Sequence, residues 1–153
     1  MSSQRCQQLQ ELAHEHEEAL AFADRIAGLV RTGSDDDLVE GIRWVQDYYY
    51  DELEEHLQHE EQTLFAALLE HGKDHLPLCM QLGKEHGFLR TVVAGLRPET
   101  ARQDLSAFAE VLRKHTEFED ERFFPLVESL FTPAQLERVM HFTPQGTLPP
   151  RPA

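Results

Sequence analysis

Apolar residues recur at intervals of three and four along four segments of the chain, approximately 4–31, 35–70, 75–96 and 99–130. This spacing places the apolar side chains of each segment on one face of an α-helix. Residues typical of helix boundaries separate the segments, with Ser34 as a candidate N-cap and Gly72 as a candidate C-cap. Signals for strands and hairpins are absent from the pattern. The sequence therefore predicts an all-α protein.

Four amphipathic helices joined by short connections are expected to pack as an antiparallel up-down-up-down four-helix bundle. We assign this bundle to residues 1–131. The stretch "TPAQLERVMHF" predicts one further short, capped helix, and "TPQGTLPPRPA" predicts an irregular, Pro-rich tail. Residues 132–153 are accordingly predicted to form a short helix and a C-terminal tail.

Polar residues interrupt the apolar face of every predicted helix. One histidine lies near the middle of each face, and on two helices a glutamate follows it four residues later. These six residues are His16, His56, Glu60, His86, His115 and Glu119. The stretches 56–68 and 115–127 also repeat one another, with His at the first position, Glu at +4, an acid at +5, Phe at +9 and an aliphatic residue at +12. The repetition indicates one site that is built twice.

Six polar side chains in a bundle core would each lose hydration, and two facing carboxylates would repel one another. Metal ligation removes both costs, since imidazole nitrogen and carboxylate oxygen suit iron, manganese or zinc. Bundle cores of this composition hold two such ions with bridging carboxylates. The alternative is a metal-free helical interaction module, because a single histidine on an apolar helix face is usually a satisfied core residue.

Neighbouring polar residues are predicted to lie outside this cluster. Asp120 lies about 140° around the helix from His115 and Glu119 about 40°, so Glu119 is the better ligand. The acids that precede two of the histidines, Glu15 and Glu85, are expected on exposed flanks. The remaining histidines are His14, His59, His71, His75 and His141. They are expected to face solvent, although His14, His59 or His75 could reach a site.

Composition and charge restrict the classes of partner and the cellular compartment that the sequence favours. A chain of 153 residues with a net charge of −14 fits one domain and disfavours binding to nucleic acid or to an anionic membrane. The sequence contains no apolar run of about 18 residues and no apolar signal segment. Its two cysteines, Cys6 and Cys79, do not show the spacing of a disulfide framework. We expect a cytoplasmic protein with reduced thiols, Cys79 being buried.

Residues 12–128 resemble the hemerythrin-like, or HHE cation-binding, family. The resemblance is carried by "EHEEAL", "HLQHEEQTLF", "KEHGFLR" and "KHTEFEDERFFP". It implies an antiparallel four-helix bundle with a non-haem di-iron centre. It also implies that Glu60 and Glu119 bridge the two irons. By the same resemblance, His16 and His56 bind one iron, and His86 and His115 bind the other.

The chain differs from the oxygen-carrying hemerythrins on its third helix, where His86 has Leu82 and Arg90 four residues away instead of a second histidine. We also expect it to use Glu119 where they place an aspartate five residues after the fourth-helix histidine. One iron would then be short of a nitrogen ligand, which water, Tyr49 or one of the other histidines would replace. This departure favours the family members associated with sensing and redox chemistry over reversible oxygen carriage.

The expected function is a non-haem di-iron protein that binds iron and, through an open iron position, dioxygen or a related small oxidant, in sensing, storage or redox chemistry. One alternative is an enzyme that turns over peroxide or nitric oxide. The other is the metal-free interaction module. The expected partners are a small diatomic molecule or peroxide, and a homodimer is compatible with the sequence.

Overall fold

The computed structural model describes residues 5–144, and these residues form helices and no strands. The predicted all-α class is confirmed. Four long helices precede one short helix. They are α1 (Gln10–Thr32), α2 (residues 35–69), α3 (Leu76–Ala94), α4 (residues 101–130) and α5 (Pro133–Met140). Short 3₁₀ turns precede three of them, at Gln7–Leu9, Lys73–His75 and Pro98–Thr100. Most of the predicted tail, 145–153, lies outside the described residues.

Helix boundaries follow from local hydrogen bonds. Ser34 caps α2 as predicted: its side chain accepts from the backbone N–H of Asp37, whose carboxylate accepts from the backbone N–H of Ser34. Thr132 and Gln135 form the same reciprocal pair at the start of α5. Gly72 follows α2 with φ of 131°, a conformation that residues with a side chain rarely adopt. The chain can therefore turn there toward α3.

Helices α2 and α4 contain π-helical turns, which the regular spacing of apolar residues did not predict. In α2 they are Tyr49–Leu53 and Glu60–Phe65, and in α4 the π turn is Glu119–Phe123. Two of the three begin at the glutamate of the repeated His-x3-Glu pattern. A π turn holds more residues than an α turn and is frequent at functional sites. Residues after it are rotated away from the directions that a regular helix would give them.

The core consists of two apolar clusters with a polar layer between them. The first cluster contains buried residues 19–26 of α1, 38–57 of α2, 89–93 of α3 and 101–112 of α4. The second contains buried residues 9–12, 64–68, 79–82, 123–131 and Val139. In α1, α3 and α4, the layer histidine falls in the sequence gap between the two clusters, and in α2 His56 lies beside Leu57, the last residue of the first cluster, with Glu60 in the gap. No described helix is both long enough and apolar enough to cross a membrane.

Helix α5 packs against the end of the bundle formed by the second cluster. The ring of His59, from α2, contacts the backbone oxygen of Val139 through Nε2 at 2.7 Å and stacks on Phe142. Gln135 accepts from Nε2 of His71 and donates to the Glu70 carboxylate, each at 2.7 Å. His59 is 8% exposed, so the expectation that it faces solvent is wrong. The turn between α2 and α3 is thereby tied to α5.

Candidate metal centre

The structure brings the six candidate residues together in the polar layer. Each of the four long helices contributes one histidine, and α2 and α4 also contribute Glu60 and Glu119. None of the six is more than 8% exposed, and His86, Glu60 and Glu119 are fully buried. Buried ionisable groups must be paired with one another or bind an ion. The contacts among these six residues therefore decide what the layer can do.

The histidines of α1 and α2 face both glutamates on one side of the layer. Nε2 of His16 lies 3.3 Å from Oε2 of Glu60 and 3.1 Å from Oε1 of Glu119. Nε2 of His56 lies 3.2 Å from the same Oε2 of Glu60. Two imidazole nitrogens and one oxygen from each carboxylate thus converge on one point.

The histidines of α3 and α4 form an equivalent set on the other side. Nε2 of His86 lies 3.1 Å from Oε1 of Glu60, and Nε2 of His115 lies 3.2 Å from Oε1 of Glu119. The two nitrogens are 3.2 Å apart. The contact of His115 with Oε1 of Glu60 is longer, at 3.9 Å. Glu60 therefore directs a different oxygen to each pair of histidines.

Two overlapping four-residue groups result. Within each group, the candidate ligand atoms lie within 4.8 Å of one another. One group is His16, His56, Glu60 and Glu119, and the other is Glu60, His86, His115 and Glu119. Metal–ligand bonds of roughly 2.0–2.2 Å that meet at roughly 90–110° separate the donor atoms by roughly 2.8–3.6 Å. All but the longest of the contacts above fall in that range, so the donor set fits a pair of ions.

A carboxylate binds the outer nitrogen of every histidine in the layer. The Nδ1 atoms of these rings lie 2.6–2.7 Å from carboxylate oxygens. The pairs are His16 with Asp120, His56 with Glu15, His86 with Glu61, and His115 with Glu85. An ionised carboxylate only accepts, so Nδ1 carries the proton and Nε2 directs its lone pair inward when the ring is neutral. Histidines that ligate metal are usually oriented by this contact.

The sequence pattern did not predict a role for these four acids. Glu15 and Glu85 are half-buried against histidines rather than free on exposed flanks, and each contacts a ring on a neighbouring helix. Asp120 points away from His115, as its angle suggested, but toward His16. A signal was present in their positions. Two of the acids immediately precede a layer histidine, and the other two immediately follow a layer glutamate.

Without metal, the contacts within the layer shift the pKa values of its four histidines and of Glu60. Burial lowers the pKa of His16, but Asp120, Glu119 and Glu60 raise it well above its usual 6.5. Burial also lowers the pKa of His56, while Glu60 and Glu15 raise it to a net value of about 9. The pKa values of His86 and His115 are raised in the same way against burial by their carboxylate neighbours. Burial raises the pKa of Glu60, but His56, His115 and His16 bring it well below 4.5.

Protons do not satisfy the whole layer. Both carboxylate oxygens of Glu119 are buried and have no hydrogen-bond donor among the described residues. The nitrogens of His16 and His115 lie within ion-pair distance of its Oε1, without the geometry of a hydrogen bond. Leaving buried carboxylate oxygens without donors is costly. A cation placed between the carboxylates and the imidazoles would satisfy them, which is a second indication that the residues fit metal.

Three of the alternative ligands suggested by the sequence are engaged elsewhere. The Tyr49 hydroxyl donates to Oε1 of Glu54 at 2.5 Å. His59 contacts the backbone of α5, and exposed His14 pairs with Glu18 at 2.9 Å. None of these three residues belongs to either four-residue group. The described structure thus shows the same donor set, two histidines and two shared carboxylates, on both sides of the layer.

Aromatic rings cover the layer on the side of the second apolar cluster. His16 stacks on Phe124, with ring centres 4.7 Å apart, and His86 stacks on Phe65 at 5.3 Å. Phe123 and Phe124 are fully buried, and Phe123 packs edge-on against Phe65. These rings are large and apolar, and they hold the imidazoles in place. They also keep water away from this side of the layer.

A surface cavity of about 310 Å³ adjoins the layer at His56. Six carboxylates line it, together with His14, Tyr48 and His56 itself. The six acids are Glu11, Glu15, Glu18, Asp51, Glu52 and Glu55. Clefts lined by one sign of charge attract ions of the opposite sign. The cavity therefore offers cations an attractive approach to His56.

Comparison with known proteins identifies the type of domain. Residues 7–127 match the family model described as the hemerythrin HHE cation binding domain. This range contains both four-residue groups and the four acids that contact the histidines. No curated protein and no solved structure shows a significant match to the chain.

Proposed function

The chain belongs to the hemerythrin HHE cation-binding domain family, and from this premise we propose that the polar layer of its core binds two iron ions. The observation that carries the proposal is the pair of four-residue groups that share both carboxylates. His16 and His56 would hold one ion, and His86 and His115 the other. Glu60 and Glu119 would contribute to both.

The donor set supports iron over softer metals. Both groups consist of imidazole nitrogens and carboxylate oxygens, and neither contains a thiolate. Iron with histidine and carboxylate ligands is a common non-haem combination that leaves coordination positions open. Cys79, the buried cysteine, contacts the backbone oxygen of Phe65 instead. Manganese and zinc share this donor preference, so metal analysis must decide among the three.

The proposal includes the antiparallel, up-down-up-down arrangement of the four long helices. It is supported by which residues share a cluster. The first apolar cluster combines the C-terminal parts of α1 and α3 with the N-terminal parts of α2 and α4. The second cluster combines the N-terminal parts of α1 and α3 with the C-terminal parts of α2 and α4. Alternating helix directions would produce this distribution, and they would also bring the four histidines to one level.

Each ion would receive two imidazoles and two shared carboxylates, which leaves positions free for a small molecule. Bound iron would supply a redox-active centre for dioxygen or a related small oxidant such as nitric oxide or peroxide. The protein's own contribution would be to hold the rings through their Nδ1 contacts and to exclude water with Phe65, Phe123 and Phe124. The acidic cavity beside His56 would attract the cations during loading. We propose that the protein acts in sensing, storage or redox chemistry of such a ligand.

Metal analysis and spectroscopy test this function directly. The chain would be expressed with iron available, purified without added metal, and examined by elemental analysis and by absorption under air and under reductant. About two irons per chain and a spectrum that changes reversibly with reduction and air would support the proposal. Absence of any bound transition metal would favour the metal-free interaction module. Sustained consumption of peroxide or nitric oxide would favour an enzyme over stoichiometric binding.

A further inference from the structure

The layer has an approximate internal two-fold repeat, in which α1 and α2 correspond to α3 and α4. His16 and Glu15 correspond to His86 and Glu85, at a sequence offset of 70 residues. His56, Glu60 and Glu61 correspond to His115, Glu119 and Asp120, at an offset of 59. Their contacts follow the repeat: Asp120 binds His16 as Glu61 binds His86, and Glu15 binds His56 as Glu85 binds His115. Departures from the repeat therefore show where the two sides differ.

The clearest departure is Arg90, four residues after His86. Its guanidinium joins two carboxylates of α2. Nε and Nη2 donate to the two oxygens of Glu54 at 2.7 and 2.8 Å. Nη1 and Nη2 donate to the two oxygens of Glu61 at 2.8 and 3.2 Å. Glu54 is 3% exposed and also accepts from Tyr49 and Gln58. Glu61 is thus clamped between Arg90 and the His86 ring.

The corresponding positions on the other side cannot form this clamp. Leu20 stands four residues after His16, where Arg90 stands after His86. Arg113 stands two residues before His115, where Glu54 stands before His56, and it pairs with Asp24 instead. Within residues 5–144, no arginine or lysine forms an ion pair with the carboxylate of Asp120. Arg5 donates to the backbone oxygen of Asp120, but no described arginine clamps the carboxylate that holds His16.

The clamp behind His86 differs from the single carboxylate behind His16 in rigidity and not in net charge. Glu54, Arg90 and Glu61 together carry one net negative charge, and Asp120 alone carries the same. A planar guanidinium with two bonds to each of two carboxylates fixes their positions more firmly than a single contact does. A ligand held in its binding geometry before the metal arrives loses less freedom when the metal binds. Carboxylates behind a histidine ligand typically change metal affinity by roughly 10–100-fold.

We propose that Arg90 is a positioning residue that makes the two metal positions unequal, so that the position of His86 and His115 binds metal more tightly than that of His16 and His56. The inference rests on the proposed function, because it assigns unequal affinities to the two ions proposed there. Arg90 acts through Glu61 and does not touch the metal. Glu54 anchors it to α2.

Stepwise titration of the metal-free full chain with cobalt(II), followed by calorimetry and visible absorption, tests this. We expect two steps of different affinity in the unsubstituted chain. Arg90→Leu introduces at position 90 the residue type found at the equivalent position, Leu20. This variant should weaken the tighter step by about tenfold or more and leave the weaker step within about twofold. Arg90→Lys keeps the charge without the fork and should recover only part of the loss. Arg113→Leu is the matched control and should leave both steps unchanged.

Substitution of the carboxylates assigns the steps. Glu61→Gln should weaken the same step as Arg90→Leu, and the two substitutions together should cost little more than one. Asp120→Asn should weaken the other step. Should Arg90→Leu fail to fold on leaving Glu54 unpaired, the double variant Glu54→Gln with Arg90→Leu removes both charges and carries the same expectation.

Equal weakening of both steps, or full additivity of Arg90→Leu with Glu61→Gln, would overturn the positioning role while leaving the metal site intact. An unsubstituted chain that binds both ions with one affinity would overturn it too. A chain that binds no cobalt at all would contradict the proposed function itself.

Discussion

The Nε2 atoms of His86 and His115 lie 3.2 Å apart in the core, while Nδ1 of each ring is engaged by a carboxylate, Glu61 and Glu85 respectively. Two neutral rings in this orientation direct nitrogen lone pairs at each other. The arrangement needs a positive charge, which can be a proton on the rings or a metal ion between them. Protons and metal therefore compete for the same atoms.

Metal loading should release protons at neutral pH. The pKa of each layer histidine is raised above 6.5 by the carboxylates around it, and that of His56 to about 9, so the metal-free layer holds ring protons at pH 7. Metal binds the nitrogens that carry these protons and must displace them. We expect more than one proton to be released per two Fe(II) at pH 7, and fewer at pH 9. Anaerobic titration in weak buffer with a pH indicator measures this, and release of one proton or fewer would contradict it.

The metal-free protein should be most stable in mildly acidic solution. A histidine with a raised pKa contributes stability that is complete below about 6.5 and is lost as the pH rises through its folded pKa, near 9 for His56. Glu60, with its lowered pKa, contributes stability that is complete above about 4.5 and is lost as the pH falls further. Thermal melts in chelator should therefore give a maximum between about pH 4.5 and 6.5 and a decline toward pH 9.

Glu60→Gln should destabilise the metal-free protein. From the sequence, the two glutamates would be expected to repel one another, so that amides would relieve the core. In the structure, Glu60 instead faces all four layer histidines within 4 Å. Removing one partner of a buried ionic contact typically costs roughly 3–5 kcal/mol. Denaturant unfolding in chelator at pH 6 measures it. A variant as stable as the unsubstituted chain would show that repulsion between the two glutamates offsets the contacts of Glu60 with the histidines.

Layer histidines and surface histidines should differ in their effect on metal. Alanine at His16, His56, His86 or His115 should reduce bound iron from about two per chain to one or none, because each group has only two imidazoles. Alanine at His14 or His141, whose side chains are 68% and 74% exposed, should leave the iron content unchanged. Elemental analysis of the purified variants compares the sets. Equal retention by both sets would exclude the layer as the site.

His59→Ala should affect stability and not metal. It removes the contact with Val139 O, leaves that oxygen without the ring donor, and deletes the stack on Phe142. The expected cost is roughly 1–3 kcal/mol in the free energy of unfolding. Iron content should stay at the level of the unsubstituted chain, measured on the same preparation. Loss of iron at unchanged stability would make His59 a ligand after all.

Carboxylates behind the rings should tune affinity without providing ligands. Glu85→Gln keeps the shape of the side chain but weakens its hold on His115 Nδ1, and we expect roughly 10–100-fold weaker metal binding. Glu110→Gln is a matched control, because Glu110 is exposed and pairs with Lys114. Competition with a chelator of known affinity measures both variants. Equal affinities would show that the contact with His115 is incidental.

The sequence by itself determined the helical class, the short fifth helix, the N-cap at Ser34, the turn at Gly72 and the six polar residues of the layer, whereas the C-cap of α2 is Glu70 and not Gly72. The reason is physical: burial has a period of 3.6 residues on a helix, and a histidine or glutamate that interrupts the apolar face stands out against it. Local hydrogen bonds set the caps, and these depend on residues two or three positions apart. Such features can be read along one chain segment.

The tertiary structure decided which acids reach which rings. Glu15, Glu61, Glu85 and Asp120 each contact a histidine on another helix, so the pairings depend on how the helices pack and on the π turns that begin at Glu60 and Glu119. Neither is set by spacing within a segment, since a π turn rotates the residues after it relative to those before it. Arg90 shows this most clearly, because its position after His86 gave no sign that it would clamp Glu54 and Glu61 across the helix interface.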